Sequence, residues 1–326
     1  MSDHKEAKSF SRFGYIMVAA GAAIGLGNIW KFPYLAYGDG GGAFVLIYIV
    51  ICILLGHPIV QAEQAVGRRG RASAAASYGV IHPKWRFVGV INIVCTFLID
   101  IYYLVVSGWV LKYFVTYVVS GDFGKDKQAY FDNYISSTTH PLIYSLIIIA
   151  IIVFFLFFGI TNIVEKASKV IMPMLAVLLL VCGIYALIVV PGAVDGLKYY
   201  FVPDFSKFGM QQFADACMQV CFSVGIGWGI FTTLGASMDK DANLKADAWW
   251  VDICDTFIAL LAGFVIIPTV VGTGSEMSSG PSLVFVAMTQ IFETLPGGRM
   301  IGIFFFASLI FAVISTFFTI LEIPRM

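Results

Sequence analysis

The chain has 326 residues, with 20 Lys and Arg balanced by 20 Asp and Glu, and it is 59% hydrophobic and only 12% charged. A soluble domain carries roughly a quarter charged residues, so this composition excludes a water-facing surface and excludes disorder as well. The balanced charge gives no pull toward nucleic acid or an acidic partner, and the chain belongs in a lipid bilayer.

A bilayer core needs about 20 apolar residues per helix. Lipid offers no partner to open backbone groups, so helices are expected throughout. In chain order the expected spans are 12–37, 41–67, 87–118, 141–159, 168–191, 211–238, 248–274 and 300–322, in one transmembrane domain over 1–326. Turn chemistry separates them, as in Gly38-Asp39-Gly40-Gly41-Gly42, Val190-Pro191-Gly192 and Pro296-Gly297-Gly298. With the N-terminus inside, the cytoplasmic segments hold Lys5, Lys8, Arg12, Arg68, Arg69, Arg71, Lys84, Arg86, Lys166, Lys169, Lys240 and Lys245. The outer loops hold only Lys125, Lys127, Lys198, Lys207 and Arg299. Basic residues in short loops mark the cytoplasmic side, which predicts a multi-pass protein of the cell membrane with a cytoplasmic N-terminus and eight crossings. The six cysteines lie in or beside apolar stretches, without metal-ligand spacing or the layout of a secreted disulfide framework.

Span one contains Gly21-Ala22-Ala23-Ile24-Gly25-Leu26-Gly27-Asn28, and span six contains Phe222-Ser223-Val224-Gly225-Ile226-Gly227-Trp228-Gly229. Glycine costs about 1 kcal/mol in a helix interior, so such clusters favour local unwinding. Unwound backbone at membrane depth is tolerated only around a cavity or a ligand. Its amides then face an anion and its carbonyls a cation. Matching interruptions in spans one and six imply a five-helix repeat whose second copy is inverted, the pattern of a secondary transporter's binding site. Gly21 and Gly25 also fit a close helix contact between small residues, although that leaves Asn28 and the matching pair without a role.

The run Ala20-Gly21-Ala22-Ala23-Ile24-Gly25-Leu26-Gly27-Asn28-Ile29-Trp30-Lys31-Phe32-Pro33-Tyr34, followed by Gly40-Gly41-Gly42-Ala43-Phe44, resembles the neurotransmitter:sodium symporter family. Bacterial members of that family include the leucine transporter. Further matching blocks run from Gly56 and Pro58 to Glu63, Gly67 and Arg68, from Tyr102-Tyr103 to Gly108-Trp109, over Glu165–Lys169 with Met172-Pro173, and over Gly280–Phe285. The resemblance implies an all-α polytopic membrane protein with the inverted five-helix repeat and interrupted helices 1 and 6. Family members have about twelve helices, so the chain reads as truncated after the eighth, with an incomplete second repeat.

The implied function is sodium-coupled symport of an apolar L-amino acid by alternating access. By resemblance, a first sodium site takes Ala23, Asn28, Ser223 and Asp255, completed by the substrate carboxylate. A second takes the carbonyls of Gly21, Ile24 and Ala312 and the hydroxyls of Ser315 and Thr316. Hard oxygen ligands of this kind suit sodium. The implied substrate pocket is lined by Ala22, Ala23, Ile99, Tyr103, Phe222, Ser223, Gly225, Trp228, Thr316 and Ile320, with the Leu26 and Gly27 amides facing the substrate carboxylate. Lys31 and Phe222 are the implied gate, and Glu63 is expected to brace the unwound part of helix one.

A carboxylate at a helix centre, such as Asp255, costs about 2.5–3.5 kcal/mol on insertion scales and needs a partner. In chloride-dependent relatives an anion sits beside the first sodium site, held by groups that map here to Tyr48, Gln219 and Ser223. Asp255 sets a fixed charge there and Ala259 supplies no hydroxyl, which implies chloride independence. Lys31 stands where the family usually has Arg, without bidentate geometry. Asp100, one turn before Tyr103, reads either as a charge facing a water-filled vestibule or as a proton site. Competing readings are a helical-bundle channel or receptor, and a non-transporting piece of a symporter. An enzyme is not expected, because there is no zincin or Gly-x-Ser-x-Gly motif and His4, His57, His82 and His140 are scattered.

Overall fold

The computed structural model describes residues 11–157, 160–239 and 241–320, with the side chains of 155–164, 207 and 318–320 left out. Among the described residues the chain is built almost wholly from helices. Helix α1 (Arg12–Ala23) starts at Ser11, whose side chain accepts from the Gly14 amide (3.2 Å). It stops where Ile24 and Gly25 turn extended, and α2 (Leu26–Gly38) resumes at an angle of 58°. Extended backbone at those two residues ends the ladder in mid-span. Helices α3 (Gly42–Ile51) and α4 (His57–Gly70) are joined by one π turn, Cys52–Gly56, into a single 29-residue span.

Short helix α5 (Ala74–Ile81) leads into α6 (Arg86–Val119), then α7 (Lys127–Ser136), α8 (Thr139–Phe157), α9 (Ile160–Val189) and α10 (Ala193–Phe201). Helix α11 (Met210–Val224) and helix α12 (Ile230–Ala236) flank five non-helical residues, so neither half of the expected span 211–238 crosses alone. Gly225, Gly227 and Gly229 there have φ of 75°, 82° and 75°. That left-handed backbone costs an L-residue roughly 1–2 kcal/mol each, which explains the alternating glycines. The chain closes with α13 (Leu244–Thr273), a π turn at Leu283–Ala287, α14 (Met288–Thr294) and α15 (Gly298–Ile320).

Helix α1 lies inside the bundle against α9, α13 and α15, while α12 packs on α4 and α10 on α13. Residues Gly14–Ile24 are all buried, as an all-round apolar helix requires. The outer faces of α6, α8 and α9 expose Phe97, Leu98, Leu142, Val177 and Ile188, which lipid can cover. The molecule is a multi-pass membrane protein.

Helices α4 and α12 pack with their backbones in contact. A Cβ at Gly67 would overlap the Thr232 carbonyl and lie 2.9 Å from the Ala236 nitrogen, and one at Gly235 would lie 2.9 Å from the Gln64 Cα. Overpacking of a fitted contact costs about 1–3 kcal/mol. Gly67→Val is therefore expected to lower the thermal midpoint in detergent by several degrees, followed by tryptophan emission. An unchanged midpoint would mean that the helices are not in backbone contact.

Candidate ion and substrate site

The two helix interruptions meet. Phe222, at the end of α11, lies on Gly27, so that a Cβ there would approach its Cδ1 to 2.9 Å. Beside this contact Asn28, Ser223 and Asp255 form one buried cluster. Asn28 Nδ2 donates to Asp255 Oδ1 (2.7 Å) and Ser223 Oγ (2.9 Å), and Ser223 Oγ donates to Asp255 Oδ2 (2.8 Å). The buried carboxylate is thus satisfied by two side chains from the other two elements. Asn28 Oδ1 accepts from the Gly25 amide (3.3 Å), which pins the first turn of α2. An amide's orientation follows from its network. Here the nitrogen faces Asp255, while the oxygen that an ion ligand would offer faces Gly25.

A second cluster joins α1 to α15. Thr316 Oγ1 lies 3.0 Å from the Ile24 carbonyl oxygen, 3.3 Å from that of Gly21 and 2.9 Å from that of Ala312. A hydroxyl carries one proton, so it satisfies one carbonyl at a time. The excess of oxygen lone pairs over protons is an arrangement that suits a hard cation. Ser315 is fully buried, and its Cβ would be 3.1 Å from a Cβ at Gly21. Tyr103 OH donates to Thr316 Oγ1 (3.3 Å) and also faces the Leu26 amide, so it stands between the second cluster and the α2 N-terminus.

Of the remaining expected pocket residues, Ala22 and Ala23 are buried on α1 and Ile99 is half-buried on α6. Gly225 caps α11, with Trp228 ring atoms 3.5 Å from where its Cβ would be. Ile320 falls in the last turn of α15, and its side chain is outside the described residues. Phe222 meets Trp228 edge-on (centroids 5.6 Å apart) and carries Lys31 Nζ 4.5 Å above its ring. Asp215, two turns before Phe222 on α11, is the carboxylate within electrostatic reach of Lys31.

Glu63 differs from expectation. Its Oε1 accepts from the Gly227 amide (2.8 Å), so it braces the second interruption and not the first. Two more α6 side chains hold that segment and were not singled out from sequence. Thr96 donates to the Trp228 carbonyl, and Asn92, with its amide oriented to satisfy the network, donates to that of Gly227 (2.9 Å). Gln219 is fully buried on α11, one turn before Ser223, with neither amide atom hydrogen-bonded. Asp100 is half-buried on α6, and its Oδ1 has no hydrogen-bond partner. At the end of the bundle where α1 begins, Arg12 Nε bonds Asp247 (2.8 Å), and Glu165 bridges Ser11 (2.5 Å) and Lys169 (2.6 Å).

The model of the sodium:neurotransmitter symporter family matches residues 7–121 and 132–324. An uncharacterised sodium-dependent transporter of Haemophilus influenzae is 34% identical over 96% of this chain and 72% of its own length. The human sodium- and chloride-dependent creatine transporter 1 is 27% identical over 93% of this chain and 56% of its own. The crystal structure of MhsT in complex with L-phenylalanine superposes with a TM-score of 0.88 at 34% identity, covering 98% of this chain and 74% of MhsT. The fold is the leucine-transporter type, with helices 1 and 6 interrupted, and the match extends through sequence and architecture. The chain belongs to the sodium:neurotransmitter symporter family.

Proposed function

We propose that this chain belongs to a sodium-coupled symporter that carries an apolar L-amino acid by alternating access. The observation that carries the reading is the pair of oxygen clusters flanking the interrupted helices, one charged and one neutral. Asp255, Asn28, Ser223 and the Ala23 carbonyl take one sodium, and the carboxylate balances its charge. Thr316, Ser315 and the carbonyls of Gly21, Ile24 and Ala312 take another through neutral oxygens. The Leu26 and Gly27 amides, at the positive end of α2, take the substrate carboxylate, with Tyr103 as a further donor. Phe222 closes over the side chain, weighted by Lys31 through a cation–π contact (about 0.5–2 kcal/mol). The protein lies in the cell membrane with α1 starting from the cytoplasm, as its basic loops require.

Gly225 presents no side chain, which leaves that wall of the pocket open to a large substrate, and Trp228 supplies an aromatic edge. MhsT, solved with L-phenylalanine, is the relative consistent with such a substrate. A channel would line a pore along its length, whereas the polar groups here gather at the depth of the two interruptions. Asp255 replaces the anion that chloride-dependent relatives use, since a second negative ion beside it would be repelled.

Proteoliposomes containing the complete protein are expected to accumulate phenylalanine, tyrosine, tryptophan or leucine only with an inward sodium gradient. Replacing chloride with gluconate is expected to leave the rate unchanged. Equal uptake with choline in place of sodium would reject the coupling. Competition in which glycine outranks the large apolar amino acids would reject the substrate class.

A further inference from the structure

The π turn Cys52–Gly56 sets the orientation of everything after it, beginning with His57. Single π turns inside α-helices are frequent at functional sites. His57 is 6% exposed, and its Nδ1 meets Asp252 Oδ2 at 2.7 Å. Its Nε2 lies 2.6 Å from Gln61 Nε2, and the Trp249 ring stacks on it with centroids 4.0 Å apart. Asp252 is 2% exposed, and its second oxygen, Oδ1, has no hydrogen-bond partner. Ionisable side chains at membrane depth mark functional pathways more often than scaffolding.

The arrangement suits two protonation states. With the imidazole neutral, Nδ1–H donates to Asp252 and Nε2 accepts from the Gln61 amide. With the imidazole protonated, Gln61 has only to turn its amide to offer oxygen to the new N–H. Asp252 precedes Asp255 by three residues on α13, so the two carboxylates share a helix face. The other titratable groups facing the pair are Cys52 on the π turn, and Lys245 with Asp255 on α13. Helices α5 and α12, which also pack on α4, contain no Asp, Glu, Lys, Arg or His.

We propose that His57 and Asp252 form a proton-binding site whose occupancy opposes sodium binding at Asp255. The inference rests on reading Asp255 as a sodium ligand. A cation on Asp255 cancels the negative charge that favours a proton one turn away. Sodium therefore releases the proton, and by linkage acid weakens sodium binding by the same factor.

Trp249 is a built-in reporter, because an imidazolium in ring contact quenches indole emission more strongly than neutral imidazole does. Emission of the purified protein would be titrated from pH 5 to 9, in choline and in saturating sodium. The expected result is a sigmoidal transition lost in Trp249→Phe and His57→Gln but retained in His82→Gln and His140→Gln. Its midpoint moves down by about one pH unit with sodium, the size of a tenfold coupling. A transition that survives His57→Gln, or a midpoint identical in choline and sodium, would overturn the proposal. The sodium-induced shift, read in the unaltered protein against Trp249→Phe, does not depend on whether the histidine variant folds. Binding of radioactive sodium at pH 8 separates the two readings. If Asp255→Asn binds less sodium than the unaltered protein and the midpoint stays fixed, the proton site alone is wrong; if the two bind equally, the Asp255 assignment fails with it.

Discussion

Asp255→Ser is expected to lose 99% or more of its uptake in chloride-free gluconate medium and to recover part of it when chloride is restored. Asn28 and Ser223 both donate to this carboxylate, at 2.7 and 2.8 Å, in a cluster with no solvent exposure at Asp255. Removing one partner of a buried charged pair costs about 3–5 kcal/mol, and each 1.4 kcal/mol is tenfold in affinity. The loss falls on sodium binding, because the ion's charge is then balanced by nothing in a medium where uncompensated charge is costly. A serine hydroxyl at 255 would join the Asn28 amide, the Ser223 hydroxyl and the Tyr48 hydroxyl around the space the carboxylate held. Those are the groups an anion needs. Initial rates in gluconate and in chloride, at one sodium concentration, check this. An Asp255→Ser protein that transports normally in gluconate would remove Asp255 from the ion site.

Thr316→Val is expected to raise the sodium concentration for half-maximal uptake by tenfold or more, with little effect on protein yield. Valine has nearly the same shape, so α15 keeps its packing while the hydroxyl disappears. Three backbone carbonyls, from Gly21, Ile24 and Ala312, lie within 3.3 Å of that hydroxyl oxygen. Each buried carbonyl left without a partner costs about 1–3 kcal/mol, and a cation among them loses a ligand besides. Thr316→Ser keeps the hydroxyl and is expected to stay within a fewfold of the unaltered protein. Sodium dependence of uptake in the two variants checks the pair; equal half-saturation in valine and serine would exclude the hydroxyl as a ligand.

The helical architecture and the place of the two interruptions were legible because their signals are local. Gly25 and Gly27, and Gly225, Gly227 and Gly229, stand in apolar runs beside Asn28 and Ser223, and a polar residue there has no bland explanation in lipid. What holds the second interruption was not legible. Glu63 lies 164 residues from Gly227, and Thr96 reads as a threonine bonding back to its own helix, which it also does, to the Asn92 carbonyl (2.9 Å). His57 passed as one of four scattered histidines because Asp252 is 195 residues away. The π turn that aims it leaves no mark in the hydrophobic period. Asn28 was legible as a member of its cluster, but the side of its amide that faces Asp255 depends on the Gly25 nitrogen, which only the backbone path reveals.

The glycine contact between α4 and α12 has a mechanical consequence. Two helices separated by side chains can shear, because rotamers along the seam adjust as one slides past the other. With the Gly67 carbon against the Thr232 carbonyl and Gly235 against Gln64 there is no such compliant layer. The pair is a stiff bar, and torque on α12 turns α4 with it. Compliance is then left to the five residues Gly225–Gly229, whose left-handed glycines let the backbone rotate once the bonds from Glu63, Asn92 and Thr96 are released. A load applied where that hinge borders the pocket turns the bar as a whole, and its far arm runs back through the π turn toward α3.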